Sequence, residues 1–136
     1  MRSILIAFLM AGVVLSVISS CAAVPTRPLA PGEVKLLSID VRGGGSVKEY
    51  MPFVANISFE ANGKPEIKRA CFTGVGEKPY CFDAMYVTFG RPSSFQVQLP
   101  GISNGSYSVE CYAEYIRDGQ TQKTNAIAAQ IFVAAR

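Results

Sequence analysis

From residue 34 to residue 136 the chain alternates apolar and polar positions in short runs, each broken by Gly, Pro or Asn. A period of two sends successive side chains to opposite faces of a strand. The cleanest case is Pro52–Ala61, where Phe53, Ala55, Ile57 and Phe59 fall on one face. Val34–Val41, Ile67–Thr73 and Tyr80–Phe89 are β-prone, and Phe95, Val97 and Leu99 alternate. Tyr107, Val109, Cys111, Ala113 and Tyr115 share one face of a long strand, and Ile127, Ala129, Ile131 and Val133 line a last one. The breaks carry turn chemistry: the glycine turn Gly43–Gly45, Asn62 with Gly63, Gly74–Pro79, Gly90–Ser93, Pro100–Gly105, and Asp118 with Gly119 as a hairpin signal. No sustained 3.6-residue period and no internal repeat is evident. About seven strands with turns every 8–12 residues predict an all-β, antiparallel Greek-key sandwich, with a barrel of similar strand count as the alternative.

One segment is more specific. Leu99-Pro-Gly-Ile-Ser-Asn-Gly-Ser-Tyr107-Ser-Val109 resembles the tyrosine corner of immunoglobulin-like and fibronectin type III domains. The resemblance implies that Tyr107 hydrogen-bonds back across the turn that precedes its strand. Antibody domains also carry a core Trp and a second-strand Cys; here there is no Trp, and Phe and Ile hold the inward positions of that strand.

The first twenty residues read differently. Arg2 is the only charge before Arg27, and Ile4–Leu15 is wholly apolar apart from Gly12. This is a basic start followed by an apolar stretch, as in a secretory signal. It ends in Ile18-Ser19-Ser20-Cys21, which resembles the lipobox of bacterial lipoproteins. The resemblance implies cleavage before Cys21, diacylglycerol on its thiol, and N-acylation with a chain such as palmitate. A plain secretory signal and an uncleaved span are the alternatives, because residues 3–26 carry no charge. The expected organisation is a signal peptide at 1–20, a lipidated Cys and Pro-rich linker at 21–33, and an immunoglobulin-like domain at 34–136. Pro25, Pro28 and Pro31 favour polyproline II at roughly 3.1 Å per residue, a stalk of about 35 Å or less. Ala22, in place of Asp, favours the outer membrane or a periplasmic face.

Composition narrows the chemistry. Thirteen basic and ten acidic side chains nearly cancel, and the basic ones are scattered, so nucleic acid is not an expected partner. There is no His, which removes the commonest general base and metal ligand. With Cys21 lipidated, Cys71, Cys81 and Cys111 remain in an oxidising compartment. Cys71 and Cys81 flank Phe72–Tyr80 and form the favoured bridge, leaving Cys111 as a buried thiol; Cys71 with Cys111 is the rival pairing. A three-cysteine metal site with Asp83 lacks a CxxC knuckle, and neither a metal nor a cofactor is expected.

No catalytic residues stand out. Glu110 and Glu114 share an outward face, Gly43–Gly45 lacks the Lys-Ser/Thr of a phosphate loop, and the sequons at Asn56 and Asn104 have no expected role in a bacterial lipoprotein. Binding is the better expectation, with Tyr80, Phe82 and Tyr112 as candidate contact residues. The expected function is a non-enzymatic binding or assembly module, held to the cell envelope through Cys21, with a protein or glycan partner. A small envelope enzyme or enzyme subunit is the alternative, and a purely structural envelope component a third.

Overall fold

A computed structural model describes residues 27–41, 46–74 and 77–136. The expected signal peptide, the expected lipidation site Cys21, residues 22–26 and the glycine turn at 43–45 lie outside the described residues. The strands are β1 (Val34–Val41), β2 (Ser46–Lys48), β3 (Phe53–Ala61), β4 (Glu66–Thr73), β5 (Tyr80–Asp83), β6 (Met85–Thr88), β7 (Ser93–Leu99), β8 (Gly105–Arg117), β9 (Gln120–Lys123) and β10 (Ile127–Ala134). One sheet runs β1-β3-β7-β6; the other runs β2-β10-β8-β4-β5, with β9 beside β8. All pairings are antiparallel except β2 with β10. Two facing sheets in this order, with the chain passing from the edge of one to the edge of the other between β1 and β2, form an immunoglobulin-like sandwich.

The core follows the alternation. Phe53, Ala55, Ile57 and Phe59 of β3 and Phe95, Val97 and Leu99 of β7 point inward, against Val109, Cys111, Ala113 and Tyr115 of β8 and Ile131 and Val133 of β10. The buried Phe59 ring stands edge-on to Phe89 with centroids 5.7 Å apart, and 5.8 Å from Phe95. Edge-to-face aromatic pairs add to the area they bury. The tyrosine corner is present: the Tyr107 hydroxyl donates to the Ser103 carbonyl at 2.9 Å and lies 2.8 Å from the Ser103 hydroxyl.

Among the described residues ten strands stand where about seven were expected, and each difference has a local cause. β2 is a three-residue strand beyond the glycine turn, too short to show an alternation. Tyr80–Phe89 is two strands in two sheets: Ala84 makes the last bond to β4, its N–H donating to the Lys68 carbonyl at 3.0 Å, and the chain then crosses to β7. The final run is also two strands. Lys123 pairs with Glu114 and Ile127 with Cys111, so one side takes four steps while β8 takes three. Such an extra residue is a β-bulge, and it bends the strand.

At that bulge, side chains take over from backbone. The Thr124 hydroxyl accepts from the Ala113 N–H at 2.9 Å, and the Thr124 N–H donates to the Ala113 carbonyl at 2.9 Å. Asn125 turns the other way: its Oδ1 accepts from the Leu36 N–H at 2.8 Å and its Nδ2 donates to the Leu36 carbonyl at 3.1 Å. Leu36 belongs to β1, the edge of the opposite sheet, and its side chain is buried. One amide therefore clasps the two sheets along their shared margin.

The segment before β1 is also tied down. Gly32 N–H donates to the Asn62 carbonyl at 2.9 Å, Asn62 N–H to the Glu33 carbonyl at 3.1 Å, and Asn62 Nδ2 to the Leu29 carbonyl at 3.0 Å. Arg117 Nε donates to the Pro31 carbonyl at 3.1 Å. Arg27 meets Glu33 at 2.9 Å and holds its carboxyl below the ordinary carboxylate range. Arg27 is 72% exposed, so that pair adds little stability. Residues 27–33 thus lie against the β3–β4 turn and the end of β8.

Asn125→Ala leaves a half-buried N–H and C=O of β1 without partners. We expect a loss of about 1–3 kcal/mol in urea unfolding. Gln130→Ala, on an exposed face, should stay within about 0.5 kcal/mol of the parent.

Candidate binding surfaces

The outer face of the larger sheet is built by cross-strand register. Tyr112, Cys71 and Cys81 stand in one row across β8, β4 and β5, and Glu114, Arg69 and Asp83 in the next. Residues opposite one another on antiparallel strands have neighbouring Cβ atoms. Cys71 and Cys81 are joined by a disulfide, with their Cα atoms 4.0 Å apart. Cys71 is fully buried although it points away from the core, while Cys81 is exposed. Glu114 Oε1 lies 3.4 Å from Cys71 Sγ and 3.9 Å from Arg69 Nε. Lys123 Nζ stands 5.1 Å from the centre of the Tyr112 ring, within cation–π range.

This register decides the cysteine chemistry. Cys111 lies opposite Phe72, not Cys71, so the two cysteines of the rival pairing point to opposite faces of the sheet. Cys111 is a buried free thiol, and burial pushes it up to about 12. The sulfurs of Cys71 and Cys81 and a Glu114 oxygen lie within 4.8 Å of one another. Both sulfurs are spent in the disulfide, so the trio offers no thiolate to a metal.

The three candidate contact residues do not share a face. Tyr112 is on the outer face, half-covered by Lys123. Phe82 pairs with Ala70 and turns inward, 6.1 Å from the Phe72 ring. Tyr80 pairs with Phe72 at the margin of the sheet and is 52% exposed. Glu110 and Glu114 are on the outer face as expected, and Glu114 is occupied by Arg69.

Sequence reasoning passed over a second surface, the turn between β2 and β3. Met51 N–H donates to the Lys48 carbonyl at 3.2 Å, and Tyr50 takes the left-handed conformation with φ 58°. For a bulky non-glycine residue that conformation costs about 1–3 kcal/mol and persists only where the surroundings impose it. Here they do. Tyr50 N–H donates to the Ile102 carbonyl at 2.9 Å, and Glu49 N–H to the Ala134 carbonyl at 2.9 Å. Arg136 N–H donates to Glu49 Oε1 at 3.2 Å, and its guanidinium lies 3.1 Å from Met51 Sδ. Gly101 presses on the turn so closely that a Cβ there would come within 2.2 Å of the Tyr50 carbonyl carbon. The Tyr50 side chain gains no burial from this: it is 63% exposed, beside Met51 at 47%. Only Gly101, one residue after Pro100, hints at this packing in the sequence; nothing in Glu49-Tyr50-Met51-Pro52 announces a left-handed Tyr.

No protein-family model matches the chain, and no characterised protein matches it by sequence. Among solved structures it is similar to a cohesin module from a family 33 glycoside hydrolase of Clostridium perfringens, at 15% identity and a TM-score of 0.41. The match covers 79% of this chain and 100% of that one.

Two outcomes follow for the cysteines. Replacing both Cys71 and Cys81 by Ala should cost about 2–3 kcal/mol in chemical unfolding, from the entropy of the closed loop. Cys111 should resist iodoacetamide in the native protein and react only on unfolding. Because its folded pKa stands above the ordinary 9.0, its contribution is complete below pH 9 and is lost as pH rises toward 12.

Proposed function

We propose that the chain is a non-enzymatic binding module of the bacterial cell envelope, anchored by lipid on Cys21, which holds a protein partner at the end of the sandwich remote from the anchor. The lipobox-like Ile18–Cys21 supports the anchor. The tie between residues 27–33 and the β3–β4 turn supports the polarity, because Tyr50 lies beyond the opposite end of β3. Nine residues of strand at about 3.3 Å each set the two ends roughly 25–30 Å apart.

The observation that carries the reading is Tyr50 itself. An aromatic held in a costly backbone conformation, exposed and braced from several sides, is a contact residue prepared before binding. Preorganisation lowers the entropy lost on association, and Tyr is among the residues that anchor interfaces. A protein partner fits better than a glycan, since Met51 beside Tyr50 offers a soft apolar contact.

A photo-crosslinking residue at position 50 of the full chain, irradiated in intact cells, should give one discrete protein adduct. The same residue at position 121, near the anchored end, should give none. Tyr50→Gly should leave stability unchanged or raised by about 1 kcal/mol, since glycine adopts φ 58° freely, yet remove co-purification of the captured partner. Equal adducts from both positions, or full retention of the partner by Y50G, would contradict the proposal.

A further inference from the structure

We infer that the end of the sandwich from which the chain runs to Cys21 is a contact surface for an anionic lipid bilayer. This rests on the lipid anchor proposed above and goes beyond it: an anchor alone leaves the domain free to tumble. Two observations point to the surface.

The first is reach. Arg27 is six positions after Cys21, and a fully extended chain spans at most about 3.6 Å per residue. Arg27 is therefore within roughly 20 Å of an anchored Cys21. Arg27–Glu33 does not extend that reach, because it is bonded to Asn62 and Arg117 at the end of the domain. The β3–β4 turn is thereby held within about that distance of the membrane surface, near enough to be brought against the headgroups.

The second is charge. Two ion pairs at this end are internally balanced, Arg27 with Glu33 and Lys68 with Glu66. Lys35, Lys64, Arg91 and Arg117 then stand against Glu60 and Asp118. The remaining described charges, on the flanks and far end, lean the other way: Asp40, Glu49, Glu77, Asp83, Glu110 and Glu114 against Lys48, Arg69, Lys78, Lys123 and Arg136. Basic groups close to a bilayer are attracted by its anionic lipids, and the attraction fades within a Debye length. At this end lies an open hollow of about 670 Å³, walled in part by Leu29, Leu37 and Pro92, with one base, Arg91, and one acid, Glu60. Leu37 is displaced by the bulge in β1 and is 44% exposed. Exposed apolar side chains at an end where basic groups outnumber acidic ones match the headgroup boundary of a membrane.

Native lysines report on the face directly. The full chain, purified from membranes, is placed on vesicles of phosphatidylcholine alone or of phosphatidylcholine with phosphatidylglycerol. It is then treated briefly with an amine-acetylating reagent and mapped by mass. Acetylation of Lys35 and Lys64 should be several-fold slower on the anionic vesicles, Lys48 and Lys78 should be unchanged, and high salt should erase the difference. In K64E/R91E the protection of Lys35 should vanish while the protein stays on the vesicles. Equal rates at Lys35 and Lys64 on both vesicles, or slowing at Lys48 and Lys78 instead, would overturn the inference. The anchor is read separately, by retention on phosphatidylcholine vesicles in high salt. If the chain washes off, the anchor reading fails, and low-salt acetylation on anionic vesicles still decides the face.

Discussion

Leu36 turns its N–H and C=O away from β3, toward the open margin of the sandwich, and the Asn125 amide satisfies both. Much of the architecture depends on that clasp. A half-buried edge amide without a partner costs more than an ordinary hydrogen bond contributes. An open edge also invites pairing with another chain. Closing the margin with a side chain requires the strand opposite to bend away, and the bulge at Thr124–Ala126 supplies the bend. The thirteen-residue β8 makes the bend tolerable: it pairs with β4 along one side and with β9 and β10 in turn along the other. The opposite margin is handled differently. β5 and β6 are only four residues each, and Tyr86 in the left-handed region breaks β6, so neither edge offers a long template.

What could be read beforehand was whatever a period of two encodes. The inward sets of β3, β7 and β8 match the alternation residue by residue, because a one-residue slip would move every apolar side chain to solvent. The tyrosine corner was legible because Tyr107 and its turn lie within a few residues of each other. The choice of Cys81 over Cys111 as the partner of Cys71 was favoured because the rival pair needs matched register and facing, but the register itself is something alternation alone does not fix between strands. The short β2, the division of Tyr80–Phe89 and the bulge before β10 were not legible. Ala84 and Thr124–Ala126 carry no Gly or Pro, and only tertiary contacts break the strands there. Tyr50 was hidden for the same reason: its conformation is imposed by Ile102, Gly101 and Arg136, remote in sequence.

These features give the molecule two unlike ends and two unlike faces. The disulfide and the Arg69–Glu114 and Lys123–Tyr112 contacts occupy the outer face of the larger sheet and stiffen it. At one end, residues 27–33 are sewn to the β3–β4 turn among basic side chains. At the other, a braced turn carries exposed Tyr50 and Met51. A flexible stalk would blur that polarity, whereas a tied one preserves it. This division of labour is a proposal about a scaffold that holds rather than transforms its partner. A fold of this kind does not itself dictate function.

The central claim is that this sandwich works as a tethered, disulfide-closed module, and the intact mass of the protein extracted from membranes tests it most directly. The account predicts the mass of residues 21–136 plus acyl chains, less the two hydrogens of one disulfide, with those hydrogens regained on reduction. An unprocessed chain, or a soluble product cleaved elsewhere without acyl mass, would contradict it.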